Sequence, residues 1–234
     1  MSEGKKHSGR GARALKTRVR TARGRTTSST RWLQRQLNDP YVAAAKRDGY
    51  RSRAAYKLLE IDEKYHLLKA GQHVLDLGAA PGGWTQVAVK KTRVLQGRGK
   101  VIGIDLSQME PIAGAHLVQL DFLDQDAPQK ILGLLDGNRV DLVMSDMAAP
   151  SCGHRQTDHL KIMALCEAAV DFAAEVLNPG GAFLAKVLRG GAETDMLRAM
   201  KQSFKTVRHV KPKASRADSA EMYVLATGFR GGAE

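Results

Sequence analysis

Lys186 stands inside the apolar run AFLAKVL at 182–188. An ionisable side chain is seldom taken into such a run without a partner or a task, although a lysine at a strand end can also extend its ammonium back to water. Three acids close three successive apolar runs: Asp105 after KVIGI, Asp121 after HLVQL and Asp146 after VDLVMS. Each alone reads equally as a helix cap. At the carboxyl ends of strands in one open α/β sheet they would share the edge where such folds hold ligands. There Asp105 would accept hydrogen bonds from ribose hydroxyls and Asp121 would meet an adenine amino group. The turn DLGAAPGGW at 76–84 adds a place where a ligand can approach the backbone closely. Its spacing is not the GxGxxG of dinucleotide sites, because Ala80 and Pro81 interrupt it, so a nicotinamide-linked oxidoreductase is disfavoured.

These residues need a sheet to position them. The runs at 73–80, 100–106, 116–122, 140–147 and 182–188 are short and rich in Val, Ile and Leu, as buried parallel strands are. Helical stretches fit between them, notably 157–177 and 192–203, and Asn178-Pro179-Gly180-Gly181 is expected to end the first of these. Upstream, 40–49 forms a short helix in this reading, and Ser52 caps another that runs to Tyr65. Tyr56, Leu59 and Ile61 are its expected buried face, which leaves Arg51, Arg53 and Lys57 for other work. The chain closes with two strand-like runs, FKTVRHVKP and EMYVLATGF, joined by a polar loop at 211–220. The pattern is that of an open, doubly wound α/β sheet with an antiparallel pair at its C-terminal end.

Charge is distributed unevenly. The net charge is +13, from 37 Lys and Arg against 24 Asp and Glu. Residues 1–50 hold 13 basic and 3 acidic side chains, +10 of that excess. Such a segment attracts polyanions by neutralising phosphates; the alternative is a tail that only solubilises. Residues 1–31 lack aliphatic periodicity and are expected to be a disordered basic arm, with a globular domain over 32–234. A mitochondrial presequence shares the Arg- and Ser-rich composition, but Lys5, Lys6, the glycines and the lack of an apolar helical face argue against it. Two cysteines, Cys152 and Cys166, point to a reducing compartment and give no basis for a zinc site. No apolar run approaches the roughly 20 residues of a membrane helix, and 1–31 has no secretory h-region.

Four motifs in order carry a resemblance: DLGAAPGGW at 76–84, MSDMA at 144–148, AKV at 185–187 after the Pro-Gly-Gly turn, and SRADSAEMYVLATGF at 215–229. With KLLEID at 57–62, the chain resembles the FtsJ/RrmJ family of ribosomal RNA 2′-O-methyltransferases from about Tyr50 to Phe229. The resemblance implies a Rossmann-like fold with a mostly parallel seven-stranded sheet, an antiparallel C-terminal strand and helices on both faces. It implies a catalytic set of Lys57, Asp146, Lys186 and Glu221. It also implies S-adenosyl-L-methionine held by Gly82, Trp84, Asp105, Asp121 and Asp146, with no metal. On the residues alone, Lys57 reads more readily as part of a solvated helix face.

The chemistry explains the set. A ribose 2′-hydroxyl is a weak nucleophile that must lose its proton as it attacks a sulfonium methyl. A lysine acts as base only when neutral, which a second cation and partial desolvation favour. In this scheme Lys186 is the base, Lys57 the second cation, and Asp146 and Glu221 orient the two ammonium groups. The implied substrate is a uridine ribose in 23S rRNA of the large ribosomal subunit, methylated by a cytoplasmic monomer with no membrane partner; a mitochondrial matrix location is the alternative. Transfer RNA or cap ribose as acceptor, and a non-catalytic RNA-binding ribosome assembly factor, are the competing readings. Two departures bear on the acceptor pocket: Ala149-Pro150-Ser151 stands where the family continues Pro-Asn, and Leu188 replaces its aromatic residue.

Overall fold

The structure, a computed structural model, describes residues 17–21, 23–150, 152–189 and 194–231. Its strands are β1 (His73–Leu77), β2 (Lys100–Asp105), β3 (Ala115–Gln119), β4 (Val140–Ser145), β5 (Leu177–Leu188), β6 (Phe204–Val210) and β7 (Glu221–Phe229). They form one sheet in the order β3-β2-β1-β4-β5-β7-β6. β7 runs antiparallel to β5 and β6, and the remaining pairs are parallel. The seven-stranded sheet with one antiparallel C-terminal strand is the architecture that the family resemblance implied.

Among the described residues, seven α-helices accompany it: α1 (Thr27–Leu37), α2 (Pro40–Arg47), α3 (Ala55–Tyr65), α4 (Gly83–Thr92), α5 (Ala127–Leu135), α6 (Arg155–Val176) and α7 (Thr194–Ser203). Successive strand residues point to opposite faces, and the apolar side chains divide accordingly. Val74, Val101, Leu142, Met144 and Leu184 pack with Leu58 and Ile61 of α3 and Val87 and Ala88 of α4. Leu75, Ile102, Val143 and Phe183 pack with Ile131 of α5, Met163 and Phe172 of α6, and Met200 of α7. Both faces are therefore covered, as parallel strands require. Among the described residues, no helix is long and apolar enough to cross a membrane.

Several local expectations are corrected. The basic arm was expected to remain disordered to residue 31, but α1 begins at Thr27 because Thr26 caps it, its hydroxyl accepting from Ser29 N at 3.2 Å. Residues 17–19 lie back along that helix, Thr17 N donating to Asn38 Oδ1 at 2.8 Å and Val19 N to Gln34 Oε1 at 3.2 Å. Residues 1–16 and 22 of the expected arm fall outside the described residues. Ser52 does not cap α3, which starts at Ala55 without a side-chain cap. The inward face of α3 is Ala55, Lys57, Leu58, Ile61 and Asp62, whereas Tyr56 and Leu59 are half-buried. Asn178–Gly181 follows α6 as expected but lies within β5 as an irregularity: Leu177 pairs with Val140, and pairing resumes with Ala182 opposite Leu142. Asp121 lies two residues beyond the end of β3, not at its last position.

The turn after β1 and the residue after β4 approach closely. Gly78 has φ +76°, and a Cβ there would lie 2.7 Å from Met147 Cγ and 2.8 Å from Met147 Cα. Its N–H binds Ile104 O at 2.8 Å, while Asp146 N binds Leu77 O at 3.2 Å. Gly78→Ala should therefore destabilise the fold by more than about 1 kcal/mol, from unfavourable φ and a backbone clash together. Urea unfolding checks this, and a change below about 0.5 kcal/mol, the range of ordinary surface substitutions, would show that the approach is not tight.

Candidate active site

Four elements bring their ends to the carboxyl edge of β4. Asp146 follows the last residue of β4, Lys186 lies near the end of β5, Glu221 starts β7 and Lys57 projects from α3. The antiparallel pairing of β5 with β7 puts Lys186 opposite Tyr223 and Leu188 opposite Glu221. Lys186 Nζ donates to the Asp146 backbone carbonyl at 2.6 Å and lies 3.3 Å from Asp146 Oδ1. Lys57 Nζ lies 3.9 Å from Asp146 Oδ2 and donates to Glu221 Oε1. One carboxylate thus faces two ammonium groups, one on each oxygen. All four side chains are at most 21% exposed, so their charges must be met within the cluster.

Tyr223 completes the arrangement. It is fully buried, and its hydroxyl lies 2.9 Å from Asp146 Oδ1 and 3.0 Å from Glu221 Oε1. Burial first, then the two carboxylates, hold this phenol well above its ordinary pKa of 10.0. It therefore remains a proton donor, with one hydrogen facing two acceptors. Ser215 adds a further donor to Glu221 Oε1 at 3.3 Å.

Beside this set lies the glycine turn. Gly82, with φ +108°, precedes the first turn of α4, whose N–H groups have no intrahelical acceptors. Trp84 is turned into the core: it is 2% exposed, packs on Tyr223 at a centroid distance of 5.5 Å, and gives its indole N–H to Ala54 O at 2.8 Å. Any contact it makes with a ligand is through its backbone. Asp105 Oδ2 accepts from Ala80 N at 3.0 Å and Oδ1 from Ser107 N at 2.8 Å, so this carboxylate also organises the turn. Asp121 Oδ1 accepts from Leu123 N at 2.9 Å. Arg51 straps the site from outside, donating to Glu110 O at 2.6 Å, Pro111 O at 2.8 Å and Pro81 O at 3.4 Å.

The sequence profile of the FtsJ-like methyltransferase family matches residues 50–229. The chain belongs to the FtsJ-like methyltransferase family. It is 64% identical over 231 residues to the "Ribosomal RNA large subunit methyltransferase E" of Parvibaculum lavamentivorans, covering 96% of this chain and 91% of that one. Identity to the protein of the same name in Jannaschia sp. is 62% over 232 residues, with 97% and 98% covered. A crystal structure of a Plasmodium falciparum protein described as a ribosomal RNA methyltransferase superposes with TM-score 0.70 at 32% identity, covering 78% of this chain and 100% of that one.

In this FtsJ-like methyltransferase the structure brings Lys57, Asp146, Lys186 and Glu221 together, and sets Asp105 and Gly82 about the neighbouring turn. Sequence reasoning missed Tyr223, Ser215 and Asp76. Tyr223 sits in the apolar run MYVLA and reads as core; only its register opposite Lys186 shows its role. Asp76 is wholly buried in β1, accepting from Thr85 Oγ1 at 2.6 Å through one oxygen while the other has no partner. The signal was a carboxylate in the middle of HVLDL.

Burial raises the Asp76 carboxyl from 3.8 to about 7; the Thr85 hydrogen bond opposes this, and Asp146 and Asp105 add to it. The native state then holds a proton that the unfolded chain has released, so stability falls as pH rises from about 4 through about 7. Asp76→Asn removes that titration. The variant should gain on the parent across this interval, by at most roughly 4 kcal/mol, and the difference should be flat above pH 8. Unfolding curves that stay parallel from pH 4 to 8 would reject the shift.

Proposed function

We propose that this protein transfers the methyl group of S-adenosyl-L-methionine to a ribose 2′-hydroxyl, on a uridine, in 23S rRNA of the large ribosomal subunit. The carrying observation is the convergence of Lys57, Asp146, Lys186 and Glu221 beside the glycine turn. The large-subunit methyltransferase name borne by relatives at 62–64% identity supports the choice of substrate. A cytoplasmic, monomeric enzyme is part of the same reading.

The turn fits the cofactor. Gly78 and Gly82 take the positive φ that the turn requires, and the first-turn N–H groups of α4 that follow would face the ligand. Each Asp105 oxygen accepts one backbone N–H and retains acceptor capacity for ribose hydroxyls. Asp121 would meet the adenine amino group, and Leu106 and Leu123, the exposed leucines near the two acids, would supply apolar walls for a flat base. When bound, the cofactor supplies a methyl group on a positively charged sulfur. Lys186, as the neutral amine, would take the proton that the ribose hydroxyl gives up on accepting that methyl group. Lys186 Nζ gives one hydrogen to the Asp146 carbonyl and lies beside Oδ1; as the neutral amine it would keep a lone pair for the proton of the acceptor hydroxyl. Lys57 and Tyr223 hold Asp146 in place, and Glu221 holds Lys57. Holding oxygen and methyl in line lowers the barrier further by several kcal/mol.

Lys186→Arg keeps the charge but cannot give up its proton near neutral pH. It should lose about 10²- to 10⁴-fold in rate, the scale for a general base, while S-adenosylhomocysteine still binds. Lys186→Ala should be equally inactive, and Lys57→Ala and Glu221→Ala milder. The assay is labelled-methyl transfer to large subunits from cells lacking the enzyme, with S-adenosylhomocysteine binding by calorimetry. Substantial turnover in Lys186→Arg would sink the base assignment.

The basic segment is read as a phosphate contact. Residues 1–16 carry five Lys and Arg against one Glu and precede the part that packs on α1. Their removal should leave the chemistry intact and weaken subunit binding at low salt, with the deficit shrinking as salt rises. Unchanged affinity at low salt would make the segment a solubiliser only.

A further inference from the structure

The loop between β6 and β7 carries Ser215, which donates to Glu221, and this loop is held by residues far away in sequence. The side chain of Asp39 is only 7% exposed. Its Oδ1 caps α2 through Tyr41 N at 3.0 Å. Its Oδ2 receives Arg216 Nη2 at 3.1 Å and Nε at 3.3 Å, and Arg53 Nε lies 2.9 Å away as an ion pair without hydrogen-bond alignment. Arg53 in turn gives Nη2 to Ala214 O at 2.6 Å. Ala214 N donates to Glu60 Oε2 at 2.9 Å, and Glu60 Oε1 accepts the Tyr41 hydroxyl at 2.9 Å. Residues 214 and 216 are therefore tied to the α2–α3 region, and Ser215, 5% exposed, is fixed between them.

We infer that Asp39 is a positioning residue for the catalytic set. One carboxylate holds two guanidinium groups that would otherwise repel each other. Without its charge, Arg216 has no counterion in this cluster, and the tie on its side of Ser215 is released. Ser215 then no longer fixes the Glu221 oxygen that faces Lys57 and Tyr223. The effect reaches chemistry through Glu221 alone, so it belongs to turnover and not to cofactor or RNA affinity. The inference rests on the catalytic reading of Lys57, Asp146, Lys186 and Glu221 given above.

Asp39→Asn is the informative change, because asparagine caps a helix as well as aspartate does but carries no charge. The test is a double-mutant cycle with Glu221→Gln, measuring kcat and KM for large subunits and the affinity for S-adenosylhomocysteine. Asp39→Asn should lower kcat roughly three- to tenfold, the scale of coupling between groups in one network, with KM and cofactor affinity unchanged. In the Glu221→Gln background it should cost nothing more. Full turnover in Asp39→Asn, losses that multiply in the double variant, or a loss confined to KM would each overturn the inference. If the single Glu221→Gln change leaves turnover intact, the role of Glu221 falls, and this inference with it. Arg216→Gln cuts the other end of the same tie. It enters the same cycle if Asp39→Asn does not fold, with the same outcomes expected.

Discussion

The Asp146 carboxylate is the point on which the site depends. Lys186 faces one of its oxygens, Lys57 the other, and the Tyr223 hydroxyl shares the first. Two lysines and two carboxylates, counting Glu221, meet in a cluster largely removed from water. Such a cluster contributes little net stability, because desolvation offsets attraction; but removing one member strands the others, at a cost of about 3–5 kcal/mol. Its value is geometric. Each ammonium is held by a carboxylate that is itself held, so the nitrogen of Lys186 is aimed without substrate being present. That preorganisation is what the proposed methyl transfer to a hydroxyl would need, since its difficulty lies in alignment and in the loss of one proton.

The sheet makes this possible by topology. The chain leaves β1 toward β2 and β3 on one side and returns to β4, β5 and β7 on the other. The strand ends diverge between β1 and β4, where open α/β sheets bind ligands. Asp105 and the glycine turn occupy one side of that divide, and Lys186 and Glu221 the other. Asp146, on the strand beside β1, belongs to both. The antiparallel β7 matters as well, because it delivers the start of a strand, and so Glu221, to the edge where its neighbours end.

The edge is also crowded with acids. Asp76, Asp105 and Asp146 lie near enough that the latter two raise the buried carboxyl of the first. The cationic sulfur of the proposed cofactor would gain from such a field, while the fold carries its cost inside β1.

The strands, and most of the helices, were legible because their apolar patterns are local. Five buried runs and two terminal ones predicted all seven strands of the described residues, and the glycine turn marked the edge where the candidate site lies. Asp105 and Asp146 stood out because acids close successive apolar runs, although each alone reads equally as a helix cap. What lay beyond the sequence was every contact that joins distant elements. Lys57 looked like one of several surface cations until α3 packed its lysine face against β7. Tyr223 looked like core until register set it beside Asp146. Ser52 read as a cap because capping preference is local, but the helix began where tertiary packing placed it. Asp39 carried no signal at all, since its partners Arg53 and Arg216 are separated from each other by most of the chain. The sequence by itself determined the elements and the chemical classes at their ends. Only the tertiary structure decided which charges share an oxygen, because ion pairing over a few ångströms depends on register and packing, which no local pattern records.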